Sequence, residues 1–154
     1  MSEINYEKYF VKEPVYEVIP VEEVTGRHPS MTVMSSNLVP ECNNYVEIGW
    51  VIDMPNPRTH IDEHVHDYDE IVIHMGADPE NREDLGGEIE FMVGGQPLTI
   101  NKTSAVFVPR GVRHGPLTWK RFDRPHIEMA IMVGAGTLAE ADPGGHIEKG
   151  KENQ

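Results

Sequence analysis

The residues best suited to chemistry lie in two short stretches, "EHVHDYDEIVIHMG" (63–76) and "PRGVRHGP" (109–116). His64 and His66 are two apart. In an extended strand such residues project to one face with Cα atoms about 6.6 Å apart, so two imidazoles can converge on one ion at about 2.0–2.2 Å. "DYD" predicts a short reversal, after which Glu70 opens the next strand and reaches the same ion from beside it. His114 follows a rigid turn made by Pro109 and Gly111 and can supply a third imidazole. Three neutral imidazoles and one carboxylate leave a divalent ion with residual positive charge. A six-coordinate ion would keep two positions open for water, oxygen or a chelating substrate. Mixed nitrogen and oxygen ligation without thiolate suits Fe(II), Mn(II), Ni(II) or Zn(II). A closed structural zinc site would usually draw on cysteine, and the chain has one, Cys42. A His-x-His pair alone is weak evidence; joined to Glu70 and to the Pro-Gly turn before His114, it points to one metal ion placed to do chemistry.

Proton-transfer candidates surround this set. His74 lies four residues after Glu70 and so shares its face, where it can meet substrate or sit as a buried core histidine. His126 and Glu128 share one face of "HIEMAIMV" (126–133), opposite Ile127, Met129 and Ile131. They are acid–base candidates if that face lines an interior, and surface residues otherwise. Tyr68 flanks the ligands. These four, His74, His126, Glu128 and Tyr68, are the catalytic candidates. His60 and Asp62 share parity with His64, which puts them at a cavity mouth or in a surface pair. Alternation beside an inward His114 points Arg113 away. Trp50, Phe91, Met92 and Phe107 read as core.

The elements that must position these groups are β nearly throughout. Segments 45–53, 61–66, 70–75, 88–93, 97–100, 105–109 and 126–133 are short and rich in Val, Ile and aromatics, with Gly, Pro, Asn or Asp between most of them. Gly94-Gly95 reads as a tight hairpin turn. Residues 54–58 and 77–87 read as polar loops. Apart from a short turn near "YEKYF", nothing carries a helical apolar period. Such a pattern predicts an all-β antiparallel sandwich or barrel. The expected organisation is an N-terminal extension over 1–44 with an edge strand in "VYEVIPVEEV" (15–24), a barrel over 45–133, and a flexible tail over 134–154.

Composition narrows the partners. At 154 residues, 38% of them hydrophobic, the chain fits one domain that buries about 68–70% of its unfolded surface. Thirteen basic against 26 acidic residues give a formal charge of −13, which repels phosphate backbones and sets nucleic acid aside. No apolar run approaches the roughly 20 residues of a membrane span. "MSEINYEKYF" lacks the basic flank and apolar core of a secretory signal. A single cysteine fits a reducing cytosol, so a cytoplasmic protein acting on a small molecule is expected.

The two stretches resemble the paired motifs of the cupin superfamily. The first motif's His-x-His, Glu and Gly fall on His64, His66, Glu70 and Gly76; the second's Pro-x-Gly-x-x-His falls on Pro109, Gly111 and His114. Residues 86–115 resemble the strand–turn–strand stretch that leads to the last histidine, and the resemblance covers about residues 45–133. Departures are Arg58 at the family's leading Gly, "TSA" (103–105) for its Gly-Asp turn, Thr118 where an Asn is frequent, and Gly76 one residue early. The resemblance implies a jelly-roll (double-stranded β-helix) barrel with one divalent metal held by all four ligands. It also implies either a metal-dependent enzyme acting on a small carboxylate, hydroxyl or carbonyl compound, or a non-catalytic sensor or storage module. Within the enzyme reading, dioxygenase is slightly favoured over lyase, isomerase or decarboxylase. Cupins often dimerise through N-terminal strands, which implies a homodimer.

Overall fold

Alternation along the strands decides the architecture, because successive residues face opposite sides of a sheet. In the computed structural model, which describes residues 2–17 and 24–143, ten strands form two antiparallel sheets. They are β1 (Thr25–Arg27), β2 (Met31–Met34), β3 (Asn44–Asn56), β4 (Thr59–His60), β5 (Asp69–Gly76), β6 (Asp84–Val93), β7 (Gln96–Lys102), β8 (Ser104–Val108), β9 (His114–Phe122) and β10 (His126–Val133). One sheet runs β1-β3-β10-β5-β8 with β2 also on β3, and the other runs β4-β9-β6-β7. A 3-10 turn spans Tyr6–Tyr9, and a single helical turn, α1 (Leu138–Ala141), follows β10. Among the described residues, no helix is long and apolar enough to cross a membrane.

One end of the space between the sheets is filled by Val51, Leu85, Ile89, Phe91, Ile100, Val108, Leu117 and Trp119, all buried. A smaller apolar cluster joins Tyr45, Tyr68 and Met132 to Ala135 and Ala141. The expected flexible tail therefore does not begin at residue 134: the chain to Pro143 is packed, and residues 144–154 lie outside the described residues. Most of the expected edge strand at 15–24 also lies outside them; Val15 forms an antiparallel bridge to Thr32.

The six-stranded sheet is polar inside and apolar outside at its centre. Cross-strand registers put Tyr45, Met132 and Glu70 in one inward row, Glu47, Ala130 and Val72 in the next, and Gly49, Glu128 and His74 in a third. The opposite face carries Val46, Ile131 and Ile71, then Ile48, Met129 and Ile73, then Trp50, Ile127 and Met75. Trp50 and Phe107, expected in the core, lie on this outer face, and Phe107 is 59% exposed. A barrel that houses a polar cavity has to turn the polar side of these strands inward.

Other elements also differ from expectation. Residues 61–66 form no strand, because Ile61 adopts φ +62° and breaks the extended run. The stretch 77–87 is a shorter loop, since β6 begins at Asp84 with an irregular register against β7 up to Ile89. β9 carries no clear strand signal in the sequence, because Gly115-Pro116 interrupts it. Pro lacks the N–H a ladder needs, and the register of β9 on β6 shifts there, between Phe91 and Val93. The Gly94-Gly95 hairpin is as expected, with φ of +57° and +78° linking Val93 to Gln96.

Candidate metal centre

Backbone pairing brings the two histidine-bearing stretches together. His64 and His114 exchange both backbone hydrogen bonds, at 2.9 and 3.0 Å, and the Gly111 N–H donates to the His66 carbonyl at 2.9 Å. The rings of His64, His66 and His114 consequently lie 4.3–4.6 Å apart between centroids, mutually tilted by 57–64°. One ring nitrogen from each falls within 4.8 Å of the others. Glu70 adjoins the group, with Oε2 3.0 Å from His114 Nε2 and 4.0 Å from His66 Nδ1.

The far side of each ring is fixed. His64 Nδ1–H donates to the Asp62 carbonyl at 2.7 Å, and His114 Nδ1–H donates to the Val112 carbonyl at 2.9 Å. Both bonds turn Nε2 towards the shared centre, as an outer hydrogen bond does for a ligating histidine. Gly115 makes the first of these possible. Its φ is +91°, and a Cβ there would stand 2.7 Å from the Asp62 oxygen. His66 stacks flat on Tyr68, with centroids 4.3 Å apart and planes 9° apart. The Tyr68 hydroxyl in turn donates to the Ala141 carbonyl.

Electrostatics suit a cation at the centre. Burial lowers the pKa of His64, and lowers that of His66 to about 4, so both rings are neutral and able to ligate at pH 7. His66 Nε2 is buried with no hydrogen-bond partner among the described residues, an atom that a metal ion would satisfy. Burial is the largest influence on His114 and acts against charge, but the hydrogen bond to Glu70, the bond to the Val112 carbonyl and the Glu70 charge together outweigh it and raise the pKa. With Nδ1–H committed to Val112, a bond from Nε2 to Glu70 calls for positive charge between them, a proton or a metal ion. The residues present therefore fit a divalent cation.

Two antiparallel sheets, strands closing in jelly-roll order, and both histidine stretches meeting between them decide the architecture. The fold is a jelly-roll β-barrel, the architecture that the cupin resemblance implies. Similar solved structures include a cupin superfamily protein from Desulfitobacterium hafniense, at TM-score 0.47 and 14% identity over 77% of this chain and 86% of that one. KdgF from Halomonas sp. has TM-score 0.46 and 12% identity over 74% and 83%. The EutQ protein of Clostridium difficile has 0.44 and 12% over 71% and 69%. Likeness at this level carries nothing about chemistry. No protein-family model matches the chain, and no curated protein matches it.

A cavity of about 80 Å³ opens here, and His60, His64, Glu70 and His114 line it together with Arg27, Glu47 and Glu128. Of the expected catalytic candidates, Glu128 is at the cavity. It is ion-paired to Arg27 and accepts from His74 Nε2 at 2.9 Å. Burial alone would raise its pKa, but the Arg27 charge and the His74 hydrogen bond hold it far below the usual range. His74 is 1% exposed and acts from behind Glu128. His126 is fully buried with both nitrogens committed, Nε2 accepting from Trp119 Nε1–H at 3.1 Å and Nδ1–H donating to the Arg124 carbonyl at 3.2 Å. It and Tyr68 spend their polar atoms on the protein, and neither lines the cavity. Arg113 points out to Glu63, as expected.

Arg27 and Glu47 were missed by sequence reasoning. Glu47 shares parity with Tyr45, Gly49 and Val51, the signal that could have found it, but the neighbouring Val46, Ile48 and Trp50 look more core-like. Arg27 had no such signal, since β1 is three residues long.

Proposed function

We propose that this jelly-roll protein is a mononuclear metal-dependent enzyme of the cupin type, acting on a small polar metabolite that offers carboxylate, hydroxyl or carbonyl oxygens. The observation carrying this reading is the convergence of three imidazoles, two with their outer nitrogens fixed by backbone carbonyls and the third with a buried, unpartnered Nε2. His64, His66 and His114, with Glu70, would hold Fe(II), Mn(II), Ni(II) or Zn(II). A bound divalent ion supplies Lewis acidity at a substrate oxygen. Around it, the chain's own residues orient the substrate and handle protons. Glu47 and Glu128 place carboxyl groups on the cavity wall, and His74 steadies Glu128 from behind. Such groups serve a lyase, isomerase or decarboxylase more than an oxygen-activating enzyme, and this moves the balance away from the dioxygenase.

The test is the metal content of untagged protein by mass spectrometry, beside the His64→Ala/His114→Ala double variant. Near-stoichiometric metal that disappears in the variant supports the site. Solvent-deuterium incorporation into product then distinguishes proton-transfer chemistry from oxygen uptake. No metal in either protein, even after anaerobic reconstitution, would sink the enzyme reading. Metal-loaded protein that binds one metabolite tightly and turns nothing over would be a sensor or storage module instead.

A further inference from the structure

The cavity holds two polar atoms that the histidine group does not use. Glu47 Oε2 and Arg27 Nη1 are both shielded from solvent and lack a hydrogen-bond partner among the described residues. Both side chains line the cavity that His64 and His114 also line. A buried polar atom left unpaired costs about 1–3 kcal/mol, more when it is charged, so a ligand that pairs both gains strongly.

Arg27 is not free to turn elsewhere. Arg27 is held through Nη2 by Glu128, which is itself held by His74, and its guanidinium lies over the Trp119 ring at 5.2 Å. That clamp leaves Nη1 as the spare donor. Glu47 projects from β3 beside the small side chain of Ala130, and the next inward position, Gly49, contributes no side chain. Burial raises the Glu47 pKa to about 7, with the nearby charges of Glu70 and Glu128 adding to the rise.

We propose that Arg27 and Glu47 form a second recognition pole that binds a hydroxyl group of the substrate. The hydroxyl oxygen accepts from Arg27 Nη1–H, and its proton is donated to Glu47 Oε2. A hydroxyl is the small group that accepts and donates in series, so one such group satisfies both orphan atoms. When Glu47 is ionised, a ketone can only accept and an ether offers it no proton. Together with oxygen ligation at the histidine pole, this narrows the substrate class to small hydroxy acids or hydroxycarbonyl compounds whose hydroxyl lies away from the metal-binding oxygens. That narrowing rests on the metal-centre reading; the hydroxyl-binding pole itself does not.

The probes are matched pairs differing by one hydroxyl: 3-hydroxypropionate with propionate, 4-hydroxybutyrate with butyrate, and 5-hydroxyvalerate with valerate. Affinities are measured by calorimetry on the protein as purified, on Glu47→Ala and on Arg27→Lys. At least one hydroxy acid should bind on the order of tenfold tighter than its partner, the value of one well-placed hydrogen bond to a charged group. Glu47→Ala should cut that preference to less than about twofold, with metal content and melting temperature showing that the fold and the centre survive. Arg27→Lys keeps the charge beside Glu128 and should also weaken the preference. Equal affinities within every pair, no saturable binding by any hydroxy acid, or an undiminished preference in Glu47→Ala overturns the proposal. Metal present without the preference would sink this inference alone. The preference without metal would sink the enzyme reading alone.

Discussion

At the scale of single residues, the site is a matter of which nitrogen or oxygen is already spoken for. Glu47 makes this measurable in the chelator-treated protein. Its folded pKa of about 7 lies above the ordinary 4.5, so the folded state holds the proton more tightly than the unfolded chain. The resulting stability is fully present below pH 4.5 and is lost as pH rises through about 7. Glu47→Gln, which cannot ionise, should be more stable than wild type at pH 8 by on the order of 2–3 kcal/mol, with the gap closing at pH 4. Urea melts at both pH values check this, and an unchanged gap would refute it. Tyr68→Phe should cost about 1 kcal/mol through the unpaired Ala141 carbonyl, read as a lower melting temperature with metal retained. The candidate ligand group was legible at this scale, since His64, His66 and His114 stand at motif spacing and converge, with Glu70 beside His114. His126 was not. Its commitment to Trp119 depends on β9 lying across from β10, a tertiary fact that no local pattern announces.

Elements position those residues through a few backbone approaches. The first histidine pair does not sit on a regular strand; it is held by bonds to residues 111–114 and by the turn at Ile61. Gly115 is the tightest point, because its backbone conformation and its contact with Asp62 both exclude a side chain. Gly115→Ala should therefore displace the carbonyl that orients His64. Metal affinity should fall by about 10–100-fold, seen by competition with a chelating dye, while the ligands themselves are untouched. Unchanged affinity would show that the Asp62 contact is dispensable. Strands β3, β5 and β10 were legible to within a few residues because Val, Ile and aromatic residues crowd them. β9 and β1 were hidden, one by its proline and the other by its brevity. Alternation gave the two faces of β3 and β10 but not which one turned inward, since a barrel with a polar interior reverses the usual choice.

For the whole molecule, the outer face of the six-stranded sheet is the feature that composition does not reveal. Three apolar rows cross it, and Ile52, Met75, Phe107 and Val133 along it are each at least 40% exposed. A patch of this kind marks an interaction surface, and a second copy of the chain is the partner we expect, with about 800 Å² buried on each side in an ordinary stable interface. Solution scattering should give a dimer mass, and Met75→Glu/Phe107→Glu should shift it to monomer. A monomer mass for the wild type would sink the expectation. The clasp between Tyr68 and Ala141 has a separate consequence for the chain as a whole. The stacked ring that braces His66 is anchored by residues beyond the last strand, so a chain ending at Val133 would keep every ligand and still lose the brace. Release of metal on trimming that end would then show the terminus acting as a latch on the ion.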